Sequence, residues 1–239
     1  MGMNSVKDRE EIHRHSGWLI PAAFFCFVLL LSGLWLGWYL RPGPKQAAAP
    51  SGRSTLVKLS VRGIPFSIPA NYIESSTALA GGEMESVRLV AQFPSWRGYS
   101  ADDTRLFAGN AADSPVIRLS LRGSTNSLSG SERLDRIYMP YIANPKGEKA
   151  PFGLTQYGFV RDSGYENNDL FAGESAKGGL VLFLCERASA DFSSPSCLAV
   201  DRPLARNLSF SYRFKRAWLG RWRELSSGAD GLIARFRQH

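Results

Sequence analysis

Histidine is almost missing from this chain of 239 residues: His13 and His15 stand near its start, His239 at its end, and none lies between. The long interior therefore has no imidazole to act as general base, which excludes Ser-His-Asp and Cys-His devices there. Zinc held by histidine is excluded with them. Cysteine is just as scarce, with Cys26, Cys185 and Cys197 as the whole set. The latter two alone do not make a structural metal site. There is no P-loop, no GxGxxG that follows a strand and opens a helix, and no SxxK for a serine–lysine hydrolase. Long internal repeats are absent too; the tetrapeptide LFAG recurs at 106–109 and 170–173, which is too short to mark a duplication. No cofactor is expected.

Charge is missing from one place in particular. Residues 17–40, GWLIPAAFFCFVLLLSGLWLGWYL, carry none. At about 1.5 Å per residue a helix of this length covers roughly 36 Å, enough for a bilayer core of about 30 Å. The run is too long for the apolar core of a cleavable signal. The nearest small-residue cleavage site, Ala47-Ala48-Ala49, lies beyond Arg41, Pro42 and Pro44. Trp18 stands at one end and Trp35, Trp38 and Tyr39 at the other, where amphipathic rings favour the membrane interface. The expectation is an uncleaved single-pass anchor in the lipid bilayer. Within it, Ala22, Cys26, Leu29, Gly33 and Gly37 fall on one stripe and include a GxxxG. Small residues there allow a second helix to approach, either from another copy or from another membrane protein.

Residues 1–16 then read as a short polar cytoplasmic tail, and 41–55, RPGPKQAAAPSGRST, as a Pro/Ala-rich linker. Positive charges flank the anchor almost evenly, so the cysteines help to decide orientation. Cys185 and Cys197 are joined by a Ser/Pro-containing loop between two apolar runs. A disulfide there requires an oxidising compartment, whereas two buried thiols would behave simply as small hydrophobes. The bonded pair is the expectation, which puts residues 56–239 outside the cytoplasm as one domain. That layout is commonest in bacterial inner-membrane proteins with periplasmic domains.

The periods predict the fold. LVKLSVRGIPFSIP (56–69) reads as a hairpin turning at Arg62-Gly63, and 86–94 and 116–123 alternate like half-buried strands. The continuously apolar 179–186 reads as a central strand. In 208–214, Leu208, Phe210, Tyr212 and Phe214 share one face and Ser209, Ser211 and Arg213 the other. A helix is expected over Ser131–Ile142 with Ser131 as its cap. An amphipathic helix is expected near the C-terminus, with Trp218, Trp222, Leu225, Ala229, Leu232 and Phe236 at helical spacing. The predicted class is α+β, on a mainly antiparallel sheet.

Charge also marks the candidate sites. Residues 51–201 hold 15 Lys+Arg against 16 Asp+Glu, whereas 202–239 hold nine against two. Trp218, Arg221, Trp222 and Arg223 sit in that basic tail. Its face suits anionic lipid, an acidic protein partner, or plain packing of the apolar stripe with the arginines in solvent. Nucleic acid is not an expected partner for an exported domain. The carboxylates Asp102, Asp103, Asp162 and Glu166 lie in polar turns, and two of them would be needed for hydrolysis of an envelope polymer such as peptidoglycan. The Asp/Asn/Gly run 162–169 lacks the spacing of a calcium loop, and turn chemistry explains such residues in any case. The leading expectation is a non-enzymatic subunit or assembly factor of an envelope complex. A membrane-tethered enzyme or polymer-binding module is the alternative.

Overall fold

The computed structural model describes residues 19–39, 51–125, 128–176, 178–189 and 193–237. The expected tail, the first ten residues of the expected linker and all three histidines lie outside them. The described residues fall into two units, an N-terminal helix and a C-terminal domain.

Helix α1 (Leu19–Tyr39) is one apolar rod. Its segment Ile20–Trp38 is long and apolar enough to cross a membrane, and all of its side chains are exposed. The domain is α+β. A three-stranded sheet contains β1 (Leu56–Val61), β2 (Ile64–Pro69) and β3 (Gly82–Met84), with β3 running parallel to β1. The β1–β2 turn is the predicted one: Arg62 and Gly63 both take positive φ, the two-residue geometry that matches strand twist. β4 (Ser86–Gln92) and β5 (Val116–Gly123) flank a short helix α2 (Thr104–Ala108). After a single-turn helix α3 (Gly130–Arg133) come β6 (Glu148–Ala150), β7 (Leu154–Gly158), β8 (Asn168–Glu174), β9 (Leu180–Glu186), β10 (Ser196–Ala205) and β11 (Leu208–Lys215). The chain ends in a 3-10 stretch, Arg216–Arg221, leading into α4 (Trp222–Phe236). Strands β4 to β11 form one antiparallel sheet in the order β4-β5-β11-β10-β9-β8-β7-β6.

Both faces of that sheet are covered, which is why β9 reads as continuously apolar. Val181, Phe183 and Cys185 point to the main core, shared with the three-stranded sheet and with Trp222, Leu225, Ala229, Leu232, Ile233 and Phe236 of α4. Leu182 points the other way, into a smaller cluster with Leu134, Tyr138, Ile142 and Phe159. β11 is buried on both faces for the same reason, so Ser209 and Ser211, on the face opposite Leu208, Phe210, Tyr212 and Phe214, are covered.

Two expectations about helices change. The turn at 130–133 is capped by Ser129, not Ser131: the Ser129 hydroxyl accepts from the Glu132 N–H, and the Glu132 carboxylate accepts from the Ser129 N–H at 2.9 Å. Residues 134–141 do not continue it as one helix but form a π turn (134–138) and a 3-10 turn (139–141). The C-terminal helix also starts later than expected, because Trp218 belongs to the 3-10 stretch.

Cys185 and Cys197 are bonded as a disulfide between directly paired residues of β9 and β10, with Cα atoms 4.0 Å apart. Nearby, Asp169 at the start of β8 is buried and accepts from Arg187 at 2.8 Å and Arg216 at 2.7 Å. Burial alone would raise its carboxyl pKa. The hydrogen bonds from Arg216 and Arg187 outweigh that and hold it below the ordinary value. This ion cluster ties β8 to the segment that launches α4.

Candidate partner-binding surface

The basic C-terminal segment divides into side chains that hold the fold and side chains that face solvent. Trp222 is core, 1% exposed, with its ring against Gly173, where a Cβ would come within 2.8 Å of the indole. Helical spacing from Trp222 to Phe236 is thus core spacing first. Trp218 is half-buried, and its indole N–H donates to the carbonyls of Asp113 and Ser114, both at 3.1 Å. Arg221 lies 4.4 Å over the Phe93 ring and 5.7 Å over Trp218, and pairs with Glu224. The hydrogen bond from Arg221 lowers the Glu224 carboxyl pKa. Arg223 is exposed. Its guanidinium lies 4.4 Å over the Trp222 ring and meets no carboxylate among the described residues.

Trp222 and Arg223 meet at a residue that sequence reasoning missed. Phe152, in the turn between β6 and β7, is 58% exposed and has φ 64° and ψ 20°, a left-handed conformation unusual for a bulky side chain. Its carbonyl accepts two hydrogen bonds, from the Trp222 indole at 3.1 Å and from Arg223 at 2.9 Å. Its ring lies over Gly220, where a Cβ would stand 3.0 Å away. Left-handed backbone costs roughly 1–2 kcal/mol for a residue with a Cβ. The two hydrogen bonds to its carbonyl offset that cost, and the ring stands at the surface beside an exposed arginine. The sequence signal is faint: Pro151-Phe152-Gly153 marks a tight turn but does not say that the middle residue is left-handed.

The acidic residues have local roles. Asp102 is exposed in a 3-10 turn, and Asp103 pairs with Arg97 at 3.0 Å. Asp162 (φ 60°) and Glu166 are exposed in a loop held by Tyr165, whose ring stacks on Phe159 with centroids 5.0 Å apart. Among the described residues no group of three or more His, Cys, Asp or Glu is placed to hold a metal ion. In α1, Ala22, Cys26, Leu29, Gly33 and Gly37 are all exposed, and nothing lies within 4 Å of a Cβ built on either glycine.

No protein-family model matches the chain, and no curated protein matches it in sequence. Its fold is similar to that of Smlt3025, an immunity protein of the Stenotrophomonas maltophilia type IV secretion system. That likeness has a TM-score of 0.55 and 18% identity over 78% of this chain and 95% of that one. A second likeness is to the iron-regulated outer membrane lipoprotein FrpD of Neisseria meningitidis, with a TM-score of 0.45 and 10% identity over 79% of this chain and 95% of that one.

Proposed function

We propose that this chain is a single-pass membrane protein whose exported domain serves as a non-enzymatic subunit or assembly factor of an envelope complex. In this reading α1 is an uncleaved anchor, the tail before it is cytoplasmic, and the domain is periplasmic. The buried disulfide supports export, because cytosolic thiols are kept reduced. The Stenotrophomonas neighbour, an immunity protein of a secretion system, suits a role in recognition at the envelope.

The observation that carries the reading is Phe152. A left-handed, exposed aromatic ring, held by Trp222 and Arg223 and seated on Gly220, is built as an anchor for a partner surface. Arg221 and Arg223 give the rim, and the charge of residues 202–239 calls for an acidic partner. Trp218 and Trp222 act from beneath, as supports. The small-residue stripe of α1 offers a second contact, with another copy or a membrane partner.

Full-length protein, tagged at its N-terminus and extracted from its own membranes in mild detergent, tests this by native mass analysis. A defined co-purifying protein, lost at least tenfold in Arg221→Glu with Arg223→Glu, is the expected result. A bare chain, or a partner retained by that double variant, would count against the surface.

A further inference from the structure

Away from Phe152, a hollow of about 340 Å3 opens between β10 and α4. Its origin is local. The β10–β11 pairing shifts register twice, between Ala199 and Arg202 and again between Pro203 and Ala205, so this stretch of β10 is out of step with its partner. Pro203, Leu204 and Ala234 give the hollow its open apolar surface above the buried Phe210 and Ile233, while Arg202, Asp230 and Arg237 supply its polar groups.

The two arginines differ. Arg202 is committed to the fold: it forms an ion pair with Asp230 and lies 5.3 Å over the Phe210 ring and 5.8 Å over Tyr212. Among the described residues Arg237 is held by its backbone, which bonds to the Ile233 carbonyl at 3.1 Å and bridges to Phe66. Its guanidinium has no carboxylate partner among the described residues. The lining is therefore one positive charge in excess, and the excess is the uncommitted Arg237. Behind Arg202, outside the lining of the hollow, the buried hydroxyls of Tyr212 and Ser226 face each other. Burial pushes the Tyr212 hydroxyl up to about 12, so it stays protonated at neutral pH.

We propose that this hollow binds a single carboxylate carried on a compact apolar stem, with the carboxylate on Arg237 and the stem against Pro203, Leu204 and Ala234. The volume falls at the lower end of small-ligand sites, and apolar walls with a few convergent polar groups are their usual make-up. A planar guanidinium takes a carboxylate bidentately, which fixes the orientation of the stem. Two sources share this chemistry, a free aliphatic acid and the C-terminal residue of a polypeptide.

Saturation-transfer difference NMR on full-length protein in deuterated detergent, with N-acetyl-leucine as probe and N-acetyl-leucinamide as its neutral twin, tests the site. Saturable transfer to the leucine methyls is expected, at least fivefold weaker for the amide and for Arg237→Gln. It should vanish in Ala234→Trp, where an exposed rim residue of the hollow is enlarged to fill it. Signal that persists in Ala234→Trp comes from the micelle. Equal transfer from acid and amide to the unaltered protein, or none above that background, would overturn the proposal. A tetrapeptide ending in leucine separates the sources: binding tenfold tighter than N-acetyl-leucine supports a polypeptide terminus, and no gain supports a free acid.

Discussion

Two helical segments cover the two faces of one sheet, and they are built differently. Residues 216–236 form a 3-10 lead and a single α-helix, six of whose apolar side chains enter the main core. Residues 130–141 break into α, π and 3-10 turns and place Leu134 and Tyr138 on the smaller cluster. The first segment repeats its apolar residues at the period of the helix it forms, so local pattern and tertiary contact agree. The second depends on one capping box and on the sheet beneath it. Stability should therefore be uneven across the sheet, with the C-terminal side the more resistant to opening.

The largest effect should come from the core of the stronger segment. Trp222→Ala removes a ring packed on Gly173 and is expected to cost about 3–5 kcal/mol in urea unfolding, against about 2–3 kcal/mol for Tyr138→Ala under its thinner cover. Equal losses, or amides of 130–141 that exchange as slowly as those of α4, would break the comparison.

A smaller loss is expected where the ion cluster anchors the stronger segment. Asp169→Asn leaves Arg187 and Arg216 without their shared carboxylate and should cost about 2 kcal/mol, less than a fully buried pair because both arginines reach solvent. The folded carboxyl titrates below the unfolded one, so its contribution is complete above about pH 5 and is lost as pH falls through the folded value. Acid unfolding of the variant should accordingly show a shallower pH dependence in that range. An unchanged profile would assign acid sensitivity to other carboxylates. On the weaker segment, Ser129→Ala should cost about 1 kcal/mol by removing the cap, while Ser131→Ala should be close to neutral.

Periodicity makes much of this architecture readable. The Arg62-Gly63 hairpin, the alternating strands β4 and β5 and the apolar stripe of α4 all carry local signals that their tertiary contacts reinforce. β10 does not, because Pro203 and two bulges interrupt its period. Ser131 looks like the cap since it opens the apolar pattern, although Ser129 is the residue three before Glu132. Asp169 resembles its neighbours in a polar loop, yet the LFAG directly after it is strand, and that continuity draws its carboxylate inside. Phe152 carries only the faint turn signal of Pro151-Phe152-Gly153. A left-handed phenylalanine is imposed by donors 70 and 71 residues away, on Trp222 and Arg223.

Phe152 also gives a small expected change in stability and the sharpest test of function. Phe152→Gly relieves the left-handed strain and loses a largely exposed ring, so the domain should be unchanged or steadier by up to about 1 kcal/mol. The decisive measurement pairs the melting of that variant with its recovery from native membranes beside the unaltered chain. The account predicts an equal or higher melting temperature together with at least tenfold loss of the co-purifying partner. Full partner retention by a folded Phe152→Gly protein would contradict it.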